Sequence, residues 1–190
     1  MAGAISSTGR VDYNTPAHLL VPVRKFFGGQ IELDPCSNLN SLVDAELNIV
    51  YGNPESPSYH ISDSGGTFVF GNGLKSPWNG TNVFVNPPFR TSKEWILKAV
   101  EEVKQGAEVI FLIPDSPETK IWKNTILLKA AGRCQLKQRV KFVGMKNTIT
   151  KPVSFVYFGK YPNEFKEVFK TYGRVENPQE VYADQADIVL

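Results

Sequence analysis

Val83-Phe84-Val85-Asn86-Pro87-Pro88-Phe89 is the stretch from which the fold can be read. Three apolar, β-prone residues predict a short buried strand, and two prolines stop it abruptly. The loop that follows carries one amide side chain and one aromatic ring. Open α/β sheets place their ligand crevices at the carboxyl ends of strands, so these two groups stand where a site is expected. The structural alternative is a strand, a Pro-Pro breaker and a core phenylalanine.

Chemically, the set suits a reaction at an exocyclic amino group. Such a nitrogen has its lone pair delocalised into the ring and is a poor nucleophile. The side-chain oxygen of Asn86 and the carbonyl of Pro87 can accept its two hydrogens and favour a pyramidal nitrogen with an available lone pair. Pro88 stiffens the loop, and Phe89 can stack on a base.

Downstream, Thr91-x-x-Glu94 reads as a capping box opening a helix with Trp95, Ile96, Ala99, Val100 and Val103 on its inner face. Gly106 closes it. Val109 to Ile113 is continuously apolar, as a parallel strand covered on both faces should be. A second helix is expected from about Thr119 to Ala131, ending at Gly132. Leu136, Gln138, Val140 and Phe142 alternate with Lys137, Arg139 and Lys141, which predicts a half-exposed strand. Val153 to Phe158 predicts a last apolar strand, and Asn163 a cap for a short final helix.

Upstream, Thr15 and Pro16 suit the N-cap and first position of an amphipathic helix bearing Leu19, Leu20, Val23, Phe26 and Phe27. Ile31 to Leu33 predicts a strand that delivers Asp34-Pro35-Cys36-Ser37-Asn38 into a turn. Such a turn can hold a zwitterion, its carboxylate facing an ammonium and its backbone N–H groups a carboxylate. Asp44 to Tyr51 reads as either helix or strand, Gly52 to Ser64 as loop, and Thr67 to Phe70 as strand. Asn72-Gly73 has the form of a hairpin turn. Alternating strands and helices, with two consecutive strands near the end, predict a doubly wound α/β sheet with an antiparallel closing pair.

The 190 residues suit one domain, assigned to 1–172, with 173–190 as an acidic tail. No run is long and apolar enough to span a membrane, and residues 1–10 lack a secretory signal. Cys36, Cys134, His18 and His60 lack metal-ligand spacing, so no metal is expected, and the composition points to a cytoplasmic protein. The net charge of +2 is unevenly spread. Arg133, Lys137, Arg139, Lys141, Lys146 and Lys151 fall in a run without any acid, which makes them candidate DNA contacts.

The order of these pieces resembles the phage-type DNA adenine-N6 methyltransferases, the Dam-like family. The matching stretches are Asn14-Thr15-Pro16, Leu33 to Asn38, Gly73-Leu74 with Trp78, and Phe84 to Phe89. Trp95-Ile96, Gly106 with the following strand, Trp122, and Pro152 to Gly159 also match, so the likeness covers roughly residues 12 to 160.

The resemblance implies a Rossmann-like sheet of the S-adenosylmethionine-dependent methyltransferase type, mostly parallel. It implies S-adenosyl-L-methionine as donor and DNA as partner, in the host cytoplasm of a phage or prophage. Asp34, Pro35, Ser37 and Asn38 then flank the donor's methionine end, with Thr15 and Pro16 closing over it. Asn72 and Leu74 contact its adenine, and Asn86, Pro87, Pro88 and Phe89 form the catalytic loop. Asp44 and Glu46 are candidates for the donor's ribose. Asp115 to Thr119 departs from the Ala-Arg-Thr-Asp-Thr pattern expected after that strand. The rival readings are transfer to cytosine N4 or protein glutamine, and an idle DNA-binding protein of the same fold.

Overall fold

The strand ahead of Asn86 lies near the middle of a sheet with strand order β3-β4-β2-β1-β5-β6-β8-β7-β9. The computed structural model describes residues 13–52, 60–61, 65–79 and 81–182. The strands are β1 (Leu33–Ser37), β2 (Leu47–Tyr51), β3 (His60–Ile61), β4 (Thr67–Gly71), β5 (Asn82–Val85), β6 (Glu108–Pro114), β7 (Gly132–Leu136), β8 (Val153–Phe158) and β9 (Gly173–Glu176). The pairs β4–β2, β2–β1, β1–β5 and β5–β6 are parallel. β6–β8, β8–β7 and β7–β9 are antiparallel, as is β3 on the far edge. The expected mostly parallel centre with an antiparallel closing pair is therefore present, with one further strand beyond it.

Side-chain alternation covers the sheet on both faces. Phe84, Ile110 and Leu112 point to one face, where Leu19, Leu20 and Val23 of helix α1 (Ala17–Phe26) meet Phe165 and Phe169 of a later helix. Val83, Val85, Val109 and Phe111 point to the other, against Trp95, Ile96 and Ala99 of α2 (Ser92–Lys104). Each fully buried side chain of this kind contributes about 1.5–3 kcal/mol of transfer free energy. Trp122 and Ile126 also cover that face, from a π-helical turn that leads into α3 (Leu127–Lys129). The later helix is α4 (Pro162–Phe169), and α5 (Pro178–Tyr182) follows β9.

The first half of the sheet departs from strict alternation. The described residues 38–46, 72–79 and 81 cross between strands without a helix. Trp78 fills the place a crossover helix would take: it is wholly buried among Leu33, Ile49 and Val83. Its indole N–H donates to the Gly73 carbonyl at 3.0 Å, and its backbone N–H donates to Glu102 of α2 at 3.0 Å. Asn72-Gly73 is consequently no hairpin, since β4 and β5 are not neighbours.

Four local expectations need correction. Residues 136–142 are not a strand; the strand is Gly132–Leu136, and the alternation arises because the following loop tucks Val140 and Phe142 into the core while Lys137, Arg139 and Lys141 stay outside. Gly132 therefore opens a strand, and it has no room for a Cβ, which would lie 2.4 Å from the Phe165 ring. No capping box forms at Thr91, whose hydroxyl donates instead to the Pro88 carbonyl within a 3₁₀ turn (Phe89–Thr91). Thr15 is not the cap of α1 either: Pro16 holds that position, with no side-chain hydrogen bond.

The fourth concerns residues 173–182, expected to begin an acidic tail. They complete the sheet as β9, with Cys134 opposite Val175, and add α5, where Gln179 donates to the Lys129 carbonyl at 2.9 Å. Glu176 is drawn inward by Arg133, which cancels the charge that made this segment look solvated. Asp184 and Asp187 lie outside the described residues.

Candidate active site

From β1 the chain proceeds outward to β2 and β4; from β5 it proceeds the opposite way to β6. The crevice where strand order reverses, at the carboxyl ends of β1 and β5, is where open α/β sheets bind ligands. β1 delivers Asp34 to Ser37 to that edge, β5 delivers Asn86 to Phe89, and β4 delivers Asn72 to Leu74. Gly73 presses its backbone onto β1 so closely that a Cβ would sit 1.9 Å from the Pro35 carbonyl oxygen. The structure thus brings these three sequence-selected segments together.

Asn86 has a defined amide orientation. Its Nδ2 donates to the carbonyl oxygen of Tyr13 at 3.1 Å, which leaves Oδ1 as the acceptor directed elsewhere. The reverse orientation would set oxygen against oxygen. Phe89 is 39% exposed and rests edge-on against the buried ring of Phe142, with centroids 5.7 Å apart and planes at 65°. It is a supported, accessible ring rather than a core residue.

Asp34 is 3% exposed. Burial pushes its carboxyl up to about 7, against the pull of the Cys36 backbone N–H and the hydroxyls of Ser37 and Ser41. The Cys36 N–H donates at 3.1 Å and Ser41 Oγ at 3.4 Å. Ser37 donates to Asn48, itself wholly buried, while Asn38 donates to Asn14 and accepts from the Asn40 N–H. Asn72 accepts from the Leu74 N–H at 3.0 Å, so its side chain shapes the turn. Thr15 is buried beside this edge, and its hydroxyl has no hydrogen-bond partner. A buried orphan hydroxyl and a buried, hard-to-ionise carboxylate fit a small polar ligand that carries both a cation and acceptors.

Residues 137–152 link the carboxyl-edge end of β7 to the start of β8, so this loop crowns the same edge. Arg139, Lys141 and Lys146 are exposed there. Lys137 donates to the Thr171 carbonyl, and Lys151 pairs with Glu118. Arg133 is placed differently: it lies inside, pairing with Asp115 at 2.9 Å and Glu176 at 2.6 Å, over the Trp122 ring at 5.4 Å. Burial disfavours its charge, yet the two carboxylates outweigh that and hold its pKa above the usual value.

Tyr13, Asn14, Phe142 and Val143 were not selected from sequence as site residues. Asn14 stands inside a matching triplet, and Phe142 falls in the stretch expected as a strand, whereas nothing in the sequence singles out Tyr13 or Val143. Asp44 and Glu46 stand before β2, not at its carboxyl end. No group of three or more His, Cys, Asp or Glu able to hold a metal occurs among the described residues, and no described helix is long and apolar enough to cross a membrane.

No curated protein matches the chain. Residues 69–155, from β4 to β8 and including the Asn86 loop, match the family described as DNA N-6-adenine-methyltransferase (Dam). Over that segment the chain is similar to the Dam family of DNA adenine methyltransferases.

Proposed function

We propose that the protein transfers a methyl group from S-adenosyl-L-methionine to the N6 amine of adenine in DNA, on a Rossmann-like sheet of the methyltransferase type. The observation that carries this reading is the fixed amide of Asn86, whose Nδ2 is engaged by Tyr13 so that Oδ1 is available to an amine. The strand order supports the fold type, because β1 and β5 flank the reversal and β8 is antiparallel.

The donor, when bound, supplies an electrophilic methyl group on a sulfonium. Asp34 would face the donor's ammonium, and the hydroxyl of Thr15 would gain the partner it lacks. Asn38, Ser37 and Pro35 would shape the methionine end, with Pro16 behind Thr15 and with Asn72 and Leu74 beside the adenine. Asn86 Oδ1 and the Pro87 carbonyl would accept the two hydrogens of a flipped adenine's amine, exposing its lone pair for in-line attack. Pro88 holds that loop rigid and Phe89 stacks on the base. Arg139, Lys141 and Lys146 would take phosphates along the loop above.

Expression in a methylation-free host followed by modified-base sequencing tests the reading. N6-methyladenine at a defined motif is expected. Methylation confined to cytosine N4 would favour the neighbouring amine, and unmodified DNA would overturn the assignment.

A further inference from the structure

One peptide group joins the catalytic loop to the basic loop. The C=O of the Tyr13–Asn14 peptide accepts from Asn86 Nδ2 at 3.1 Å, and its N–H donates to the Val143 carbonyl at 3.2 Å. Because a peptide group is planar, a displacement of Val143 must be followed by the atom that orients Asn86. The Asn14 carbonyl closes the pair by accepting from the Val143 N–H at 2.8 Å.

The Asn14 side chain reaches a third segment. Its Oδ1 accepts from Asn38 Nδ2 at 2.6 Å, and its Nδ2 donates to the Asn40 carbonyl at 2.7 Å. These lie in the turn that follows β1, the strand that holds Asp34 and Ser37. Asn14 is thus bonded to the loop above the sheet and to the β1 turn, one residue from the group that fixes the amide. Among the described residues its four hydrogen bonds run to segments far away in sequence, and none serves a helix or strand ladder.

Resting on the reading of the β1 turn as donor site and of residues 137–152 as DNA contact, we infer that Asn14 is a positioning residue that couples the two. DNA that draws on the basic loop sets Val143, and through the shared peptide the Asn86 amide. The Asn14 side chain carries the same displacement to the turn that holds the donor. Coupling of this kind is reciprocal: DNA must tighten the donor by the same factor that the donor tightens DNA.

The test measures binding, with S-adenosylhomocysteine as a donor analogue that cannot transfer and a mixed-sequence duplex as DNA. In the parent protein the duplex should tighten the analogue by about 5-fold or more, the lower end of usual allosteric factors. Asn14→Ala keeps the peptide but removes both side-chain links, and it should bring that ratio close to one while each ligand alone still binds. A merely structural role would weaken both affinities and leave their ratio unchanged. If Asn14→Ala does not fold, Asn14→Leu, which keeps the bulk and removes both side-chain links, carries the same expectation. A parent protein that binds both ligands independently, or a variant with the parental ratio, overturns the inference while leaving the proposed activity standing. Failure of the parent to bind either ligand instead removes the proposed function itself.

Discussion

The Asn86 amide and the Tyr13 carbonyl, 73 residues apart in sequence, meet at 3.1 Å. This contact turns a loop side chain into an oriented one, because Tyr13 can only accept and therefore selects Nδ2. Asn86→Asp keeps an acceptor toward the crevice but puts a carboxylate oxygen against the Tyr13 carbonyl. Losing one ordinary hydrogen bond costs about 0.5–1.5 kcal/mol, so kcat should fall about 2- to 10-fold with donor affinity kept. Steady-state kinetics at saturating donor checks this, and an unchanged kcat would mean that Tyr13 does not orient the amide.

Asp34 gives the proposed donor site an expected dependence on pH. Its folded pKa, about 7, lies above the ordinary 3.8. The native state therefore holds this proton more tightly than the unfolded chain. That contribution to stability is full below pH 3.8 and is lost as pH rises through about 7. Each pKa unit is about 1.4 kcal/mol, so the ionised carboxylate costs a few kcal/mol at pH 8 in the free protein. Asp34→Asn should accordingly raise the melting temperature at pH 8 and change it little at pH 4. An ammonium facing the ionised carboxylate reverses the preference, so donor affinity should rise with pH up to about 7 in the parent and stay flat in Asp34→Asn. A parental affinity without that rise would place the ammonium elsewhere.

Phe89 separates stacking from packing. With the ring 39% exposed and resting edge-on against Phe142, Phe89→Ala should lose little more than that contact, about 0.5–1.5 kcal/mol of stability. A lost base stack is worth about 1–3 kcal/mol in DNA binding, and Phe89→Trp should retain it. A stability loss of about 3–5 kcal/mol in thermal or urea unfolding would make the ring a core residue instead.

Four of the six basic residues divide into two groups with opposite behaviour. Replacing Arg139, Lys141 and Lys146 by Gln should flatten the log-affinity versus log-salt slope for duplex DNA by about 0.9 per lost phosphate contact, with little change in stability. Arg133→Met should leave that slope unmoved but destabilise the fold by about 3–5 kcal/mol, because it abandons Asp115 and Glu176. A slope that responds to Arg133 and not to the exposed three would reverse this division.

Much of the fold was legible because local pattern and tertiary role agree in its second half. Val109 to Ile113 and Val153 to Phe158 are apolar runs that only a covered strand explains, and they pair antiparallel across the sheet. The β-strand at 132–136 was missed because Gly132 reads as a helix stop and Arg133-Cys134-Gln135 holds no β-branched or aromatic residue; its identity comes from β8 and β9 on either side. The loop at 137–149 imitates a strand because tucking Val140 and Phe142 inward produces the same alternation. In the candidate site, Asn86, Phe89 and Asp34 are singled out in the sequence by the chemistry each offers at a strand end, and the structure places the segments that carry them at one edge of the sheet. The parts Tyr13, Asn14 and Val143 play could not, since they act through backbone groups that every residue carries.

Methyl transfer to duplex DNA from S-adenosylmethionine labelled in its methyl group, followed by hydrolysis to nucleosides, tests the central claim most directly. The parent protein should place the label in N6-methyladenine. Asn86→Ala should lower that rate by about 100- to 1,000-fold, as loss of one preorganised contact at the reacting group does, while donor binding and melting temperature stay near parental values. Label in cytosine or in protein, or an Asn86→Ala rate within about threefold of the parent (under 1 kcal/mol of barrier), would contradict the account.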